Sequence, residues 1–359
     1  MTLDQISLAQ FRSWSRLELQ IDHKPIAIHG PNGSGKTNIL EAVSMLAPGR
    51  GLRGAPAPDQ ARQAKGAGWR IRAQIDDHQI DTTAPPGKNR QVSLDDKQVP
   101  QTALARLLRI IWLVPSMDRL WTDPPDTRRR FLDRLTLSLF PDHAELALTY
   151  EKAMRERNRL LRDQINDPGW YRALEGQMAQ SGSTLTANRI GALAAIMAAQ
   201  RYDPGGFPAA TLSLLPGEGH ADDTHADSIA ARLAEMRPRD LAAGRSLTGP
   251  HRADLGAHWG PQEMPAALSS TGEQKALLLS LILANARALP DQPVILLLDE
   301  VAAHLDADRR ARLYDQIVDL KAQTFLTGTG AELFQSFGSR ARRLEIGKTD
   351  GQSHCSELP

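Results

Sequence analysis

The stretch Gly30-Pro31-Asn32-Gly33-Ser34-Gly35-Lys36-Thr37 constrains this chain more than any other. It fits G-x-x-x-x-G-K-[ST], with the apolar run Ile26-Ala27-Ile28 before it and Asn38-Ile39-Leu40-Glu41-Ala42-Val43 after it. Strand, glycine-rich turn and helix in that order make a phosphate-binding loop. Glycines let the backbone fold its N–H groups around an anion. The helix that begins there adds the positive end of its dipole beneath the phosphates. Lys36 has the reach for β- and γ-phosphates, and Thr37 can hold Mg²⁺. The expected nucleotide-binding residues are therefore Gly30, Pro31, Asn32, Gly33, Ser34, Gly35, Lys36, Thr37 and Asn38. The bland alternative, a glycine turn that happens to cap a helix, is outweighed by the correct context on both sides.

A second half of such a site stands near the other end of the chain. Val294-Ile295-Leu296-Leu297-Leu298-Asp299-Glu300 is an apolar run ending in two carboxylates, the pattern of a buried central parallel strand. Asp299 falls where the second Mg²⁺-holding group belongs. Glu300 can orient and polarise an attacking water. Upstream, Leu268-Ser269-Ser270-Thr271-Gly272-Glu273-Gln274-Lys275 opens the apolar helix 276–286, so Ser270 and Gly272 lie at another anion-binding helix start. Gln323 to Thr329 reads as a further strand with small polar residues at its C-terminal edge, the edge at which open parallel sheets bind ligands.

The remaining sequence bounds what can surround this site. The 359 residues allow one large or two medium domains, and 41% hydrophobic with 24% charged residues is ordinary for a globular chain. A net charge of +1 gives no global field for nucleic acid, so any DNA contact must come from a local basic surface. The single cysteine, Cys355, excludes an intrachain disulfide and fits a reducing cytosol. No signal-peptide pattern opens the chain, and no apolar run is long enough to span a bilayer.

Residues 6–11 and 17–21 alternate as strands do, and 69–75, 78–82 and 91–94 form a small antiparallel patch. Residues 49–65 read as a mobile loop, and the tail after Lys348 as mobile. Arg128-Arg129-Arg130 opens a helix and reads as a solvated face rather than an anion-facing cluster. Two long helical stretches, 143–164 and 170–199, are joined by Asn166-Asp167-Pro168-Gly169 and predict an antiparallel pair. Their arginines (155, 157, 159, 162, 172 and 189) are interleaved with acids, which helical ion pairing accounts for. His251 and Arg252, in the turn Thr248-Gly249-Pro250-His251-Arg252, are candidate functional residues, although a lone histidine in a turn is more often just solvent-facing.

The loop, the turn of form S-x-G-[EQ], Leu296-Leu297-Leu298-Asp299-Glu300 and the downstream Leu305-Asp306 together resemble the ABC-type ATPases. Within them the chain is similar to the RecF family, bacterial ATPases related to SMC proteins. That narrower resemblance rests on residues 114–118, 128–134, 150–158 and 248–252. The separation of Thr37 from Ser269 is too large for a compact transporter ATPase and far too small for an SMC arm. It suits a short helical lid. The expected fold is α/β: an ATPase head of mixed sheet flanked by helices, plus the antiparallel β patch, with an inserted α-helical lid. The head would comprise residues 1–120 and 237–359, and the lid 121–236.

The resemblance implies an ATP- and Mg²⁺-dependent, slow, DNA-dependent ATPase in the cytoplasm. It implies a homodimer on ATP, with Lys36 and Glu300 catalytic, Thr37 and Asp299 on the metal, and Ser270 and Gly272 on the partner's γ-phosphate. It implies binding at gaps and single-strand/double-strand DNA junctions, with RecR and RecO as partners, in recombinase loading, replication restart and the SOS response. There are departures from the ABC pattern. Thr271 stands where the signature has its first glycine, and Glu273 replaces the usual glutamine, as in SMC proteins. Ala303 replaces the common serine, Thr327 to Thr329 occupies the place of the switch histidine, and no glutamine near 114–118 fills the Q-loop role. Slow turnover is the expectation. A transporter-associated ATPase and a non-hydrolysing clamp are the rival readings.

Overall fold

The computed structural model describes residues 2–62, 68–201, 206–217, 224–260, 263–289 and 292–358. The chain divides into two compact units: Met1–Asp118, Asp203–Phe207 and Leu278–Pro359 form one, and Arg119–Tyr202 with Pro208–Leu277 the other.

The first unit opens with β1 (Leu3–Phe11) and β2 (Trp14–Gln20), then β3 (Ile26–His29), the glycine loop and α1 (Lys36–Ser44). β4 (Trp69–Ile75), β5 (His78–Ala84), β6 (Gln91–Leu94), β7 (Lys97–Val99) and β8 (Arg109–Leu113) follow. An antiparallel sheet runs β2-β1-β4-β5-β6-β7, so the antiparallel patch is continuous with the N-terminal hairpin. The alternation in β4 sorts cleanly, with Trp69, Ile71, Ala73 and Ile75 buried and Arg70 and Arg72 outside.

The second unit holds α2 (Pro125–Leu139), α3 (His143–Arg162), α4 (Pro168–Gln200), β9 (Ala210–Leu215), α5 (Ala226–Glu235), α6 (Arg237–Ala243), β10 (Asp254–Trp259) and β11 (Met264–Pro265). The helix α7 (Thr271–Arg287) begins in it. Tyr150 and Ala153 of α3 pack with Met178, Ala179 and Leu185 of α4, while Leu160 and Leu161 pack with Tyr171 and Leu174. Rising numbers on one helix meet falling numbers on the other, which makes α3 and α4 an antiparallel hairpin. The unit also carries a three-stranded sheet, β11-β10-β9.

The chain closes the first unit with β12 (Val294–Leu298), α8 (Ala307–Asp319), β13 (Gln323–Gly328), β14 (Arg342–Thr349) and β15 (Gln352–Leu358). The second sheet of the unit runs β15-β14-β3-β13-β12-β8, parallel except for β15. All five residues of β12 are buried, as a strand between two parallel neighbours requires.

Several sequence expectations change here. The tail is the edge strand β15, paired to β14 from Arg343↔Leu358 to Thr349↔Gln352. Residues 49–62 are tied down: buried Arg90 donates to the carbonyls of Ala47 and Gly49, Gln60 is buried, and Ala57–Gln60 is a 3₁₀ helix. Residues 63–65 of that stretch lie outside the described residues, as do most of 203–206 and 217–224. Arg128 and Arg129 are not a solvated face. Arg128 forks onto Asp254 at 2.8 and 2.7 Å, and Arg129 donates to the Ala253 carbonyl and Asp126. Among the described residues no helix is long and apolar enough to cross a membrane.

Candidate nucleotide site and signature turn

The site grows from the C-terminal edge of the parallel sheet. β3 delivers Gly30, and α1 begins at Lys36 with Gly35 as its cap in the left-handed region, φ 110°. A side chain at Gly35 would also put a Cβ 2.4 Å from the Ser353 hydroxyl. Only glycine satisfies both demands. Lys36 is buried, and its ammonium donates to the carbonyls of Gly30 (2.8 Å) and Pro31 (3.1 Å), with Glu300 3.9 Å away. Burial lowers its pKa, against the opposing pull of Glu300 and Asp299.

β12 brings Asp299 and Glu300 to the same edge. The Thr37 hydroxyl donates to Asp299 Oδ1 at 2.9 Å. The Thr327 hydroxyl, at the end of β13, donates to the same oxygen at 2.6 Å and accepts from the Glu300 backbone N–H at 2.9 Å. The Asp299 N–H donates to the Leu113 carbonyl at the end of β8, so three strands fix this corner. Glu300 has φ 54°, a left-handed conformation that costs a non-glycine residue about 1–2 kcal/mol. Strain of this kind gathers at functional positions. The bond to Thr327 holds it. Thr37 and Asp299 present hard oxygen donors to one point, a set suited to a divalent cation with oxygen ligands.

Beneath the loop lies a cluster the sequence did not reveal. The Ser353 hydroxyl of β15 donates to the Ser34 carbonyl and sits 2.7 Å from the Ser13 hydroxyl. Ser13 accepts from the Asn38 amide at 2.8 Å, and the Trp14 indole donates to the Gly35 carbonyl at 3.2 Å. No local signal marks these residues, since Ser13 and Ser353 are 340 positions apart.

In the other unit, the turn before α7 is a capping box. The Glu273 carboxylate accepts from the Ser270 N–H (2.8 Å) and hydroxyl (2.7 Å), and the Glu273 N–H approaches the Ser270 hydroxyl at 3.4 Å. These bonds hold the Glu273 pKa below the usual range. Ser269 accepts from the Trp259 indole at 2.6 Å. Ser270, Gly272 and Leu268 are exposed, and nothing lies within 4 Å of a Cβ placed on Gly272.

The other flagged blocks of this unit meet inside it. His251 is not solvent-facing: its Nδ1 pairs with the Tyr150 hydroxyl at 2.7 Å. Arg157 is fully buried between Glu175 and Asp240, and Arg189 forks onto Asp133. The expected ion pairing along one helix is seen at Arg159–Asp163, 3.8 Å, whereas Arg157 and Arg189 pair between helices.

The chain is similar to known proteins in sequence and in fold. The family profile described as the RecF/RecN/SMC N-terminal domain matches residues 2–344. A curated relative, the DNA replication and repair protein RecF of Mesorhizobium japonicum, is 43% identical over 96% of this chain and 96% of its own. A solved structure of the recombination mediator protein RecF with ATP superposes with TM-score 0.84 at 21% identity, covering 99% of this chain and 97% of that one. The Smc head domain of Pyrococcus furiosus gives 0.58 at 17% identity, covering 99% and 96%. The fold is that of the ABC-type heads of RecF and SMC proteins.

Proposed function

The chain belongs to the RecF family, and we propose that it is an ATP-dependent, DNA-binding recombination mediator whose ATP-bound form is a dimer. The observation that carries the reading is the convergence of Thr37, Asp299 and Thr327 within hydrogen-bond distance, with Lys36 and Glu300 3.9 Å apart beside them. The RecF relatives, named as replication and repair proteins and solved with ATP in the RecFOR pathway, support it.

In this reading the backbone N–H groups of the loop, from Asn32 to Asn38, wrap the triphosphate, and Lys36 exchanges the Gly30 and Pro31 carbonyls for β- and γ-phosphate oxygens. Thr37 and Asp299 hold Mg²⁺, which neutralises charge on the β- and γ-phosphates when bound. Glu300, fixed through its backbone by Thr327, orients the water that attacks the γ-phosphate. Water displaces ADP, and the γ-phosphoryl group leaves as inorganic phosphate. Ser270 and Gly272 face the partner's γ-phosphate. To donate there the Ser270 hydroxyl must leave Glu273. Thr327 in place of a switch histidine brings no imidazole to the γ-phosphate, which supports slow turnover. The working partners are gapped or junction DNA, RecR and RecO, in the cytoplasm, in the service of recombinase loading, replication restart and the SOS response.

Size-exclusion chromatography with light scattering, with and without ATP-Mg²⁺ and a gapped duplex, tests the reading. Wild type should dimerise on ATP and retain DNA, and Glu300→Gln should accumulate as the dimer. Ser270→Ala should bind ATP yet stay monomeric. A Ser270→Ala variant that dimerises normally sinks the trans assignment. A wild type that is monomeric in every state overturns the ATP-dependent dimer.

A further inference from the structure

Two sets stand out among the arginines of the helical unit. Arg128, Arg129, Arg157, Arg189 and Arg237 are bonded to internal carboxylates and carbonyls. Arg159, Arg162, Arg172 and Arg245 are exposed and gather at one end of the α3–α4 hairpin. Arg159 and Arg162 occupy the last turn of α3. Arg172 folds back onto the Pro168 carbonyl in the first turn of α4, at 3.3 Å. Arg245 follows Gly244, where an added Cβ would lie 3.4 Å from Arg162 Cγ. The Gln164 amide donates to the Leu241 carbonyl at 3.0 Å, which fastens the end of α6 to the same place. Among the described residues Arg162, Arg172 and Arg245 have no carboxylate within ion-pairing distance, and Arg159 reaches only Asp163.

Trp170 stands at this end with half of its surface, 51%, in water. Its chain neighbour Tyr171 is buried, and the Arg157 and Arg237 guanidiniums lie over the Tyr171 ring. Asn166, Asp167 and Arg172, neighbours of Trp170 along the chain, are exposed and polar. A protein anchor would sit within an apolar, water-excluding ring. An exposed aromatic ring on the same end of the hairpin as guanidiniums that lack a carboxylate partner matches a different ligand. Every base has a π-face to stack, and the flanking phosphates seek cations.

We propose that this end of the hairpin holds unpaired nucleic acid beside a duplex, with Trp170 stacked on a base and Arg162, Arg172 and Arg245 on the flanking phosphates. The proposal rests on the DNA-binding reading above and deepens it by saying where single strand is sensed. It also narrows the set of helical arginines open to DNA, since Arg157 and Arg189 are committed to the interior.

The test measures binding of the full chain, with ATP-Mg²⁺, to a hairpin-closed duplex with an internal gap and to the same duplex without one. Trp170→Ala should weaken binding to the gapped duplex about tenfold, the loss of one stacked base. It should leave the intact duplex within about twofold, since no base is unpaired there. Trp170→Phe should recover most of the loss. Indole fluorescence quenched by the gapped duplex in wild type should lose that component in Trp170→Phe. The pair Arg162→Ala/Arg245→Ala should lower the slope of log affinity against log salt by roughly 1.5. If wild type binds the gapped duplex and these variants bind it equally well, the proposal falls and the surface is left to a protein partner. If wild type binds neither duplex, the DNA reading of the whole chain falls with it.

Discussion

Two polar clusters inside this molecule each combine a buried cation with an Asp, a Glu and a hydroxyl, and they end in opposite states. Around Arg157 every charge is met. Its guanidinium donates to Glu175 (3.1 Å), Asp240 (2.7 Å), Ser246 (2.8 Å) and the Leu233 carbonyl (3.0 Å), and Arg237 takes the other Glu175 oxygen at 2.6 Å. Around Lys36 the charges are present but not matched. The ammonium rests on two carbonyls with its nearest carboxylate 3.9 Å away, and Asp299 takes hydroxyl donors from Thr37 and Thr327. A closed network holds helices together. An unmatched one keeps bonding capacity for a ligand of its own polarity. Closure separates the structural cluster from the candidate site.

Removing Arg157 gives the largest expected effect. Arg157→Ala strands Glu175 and Asp240 in the interior and should cost about 3–5 kcal/mol. Urea unfolding of the intact chain measures it, and nucleotide affinity of the folded protein should be unchanged. A cost below about 1 kcal/mol, the level of an exposed pair, would mean the network is not closed and the contrast is false.

Thr327→Val keeps the shape and deletes the hydroxyl that Asp299 and Glu300 share. It should cost about 1–3 kcal/mol of stability, a melting temperature lower by a few degrees, and should lower ATP turnover roughly tenfold. An unchanged turnover would show that Thr327 fills space and nothing more.

The smallest effect tests a third charged cluster by pH. Burial pushes the Asp133 carboxyl up, but Arg189 at 2.7 Å and His143 at 3.1 Å outweigh it and hold the pKa at about 2. The folded value lies below the unfolded one near 3.9, so this stabilisation is complete above about pH 4 and is lost as pH falls toward 2. Asp133→Asn should flatten that part of the acid-unfolding curve. A wild-type curve indistinguishable from the variant's would remove Asp133 from the closed class.

The legible parts of the site were those carried on contiguous residues. The loop 30–37 and the pair Asp299-Glu300 each sit on one strand end, where strand, turn and carboxylate follow from local pattern. Thr327 was visible only as a departure from a histidine, and its bonds to Asp299 and to the Glu300 N–H come from strand order. The arginines misled because their charge is the same in water and in the interior. Arg128 looked solvated until Asp254, 126 residues later, turned out to be its partner. The tail looked loose because Gln352 to Leu358 has little apolar alternation; its order comes from backbone pairing with β14 and from Ser353 under the loop.

By itself the sequence singled out the candidate groups for a phosphate and a divalent cation, because the glycines, Lys36, Thr37 and Asp299 are recognised by local conformation and intrinsic chemistry. Tertiary structure alone decided which charges are available. Whether Arg157, Arg189, Arg162 or Trp170 faces water or a buried partner depends on contacts from segments far along the chain. Desolvation and hydrogen bonding, which fix the state of a charged group, belong to those contacts and not to the residue.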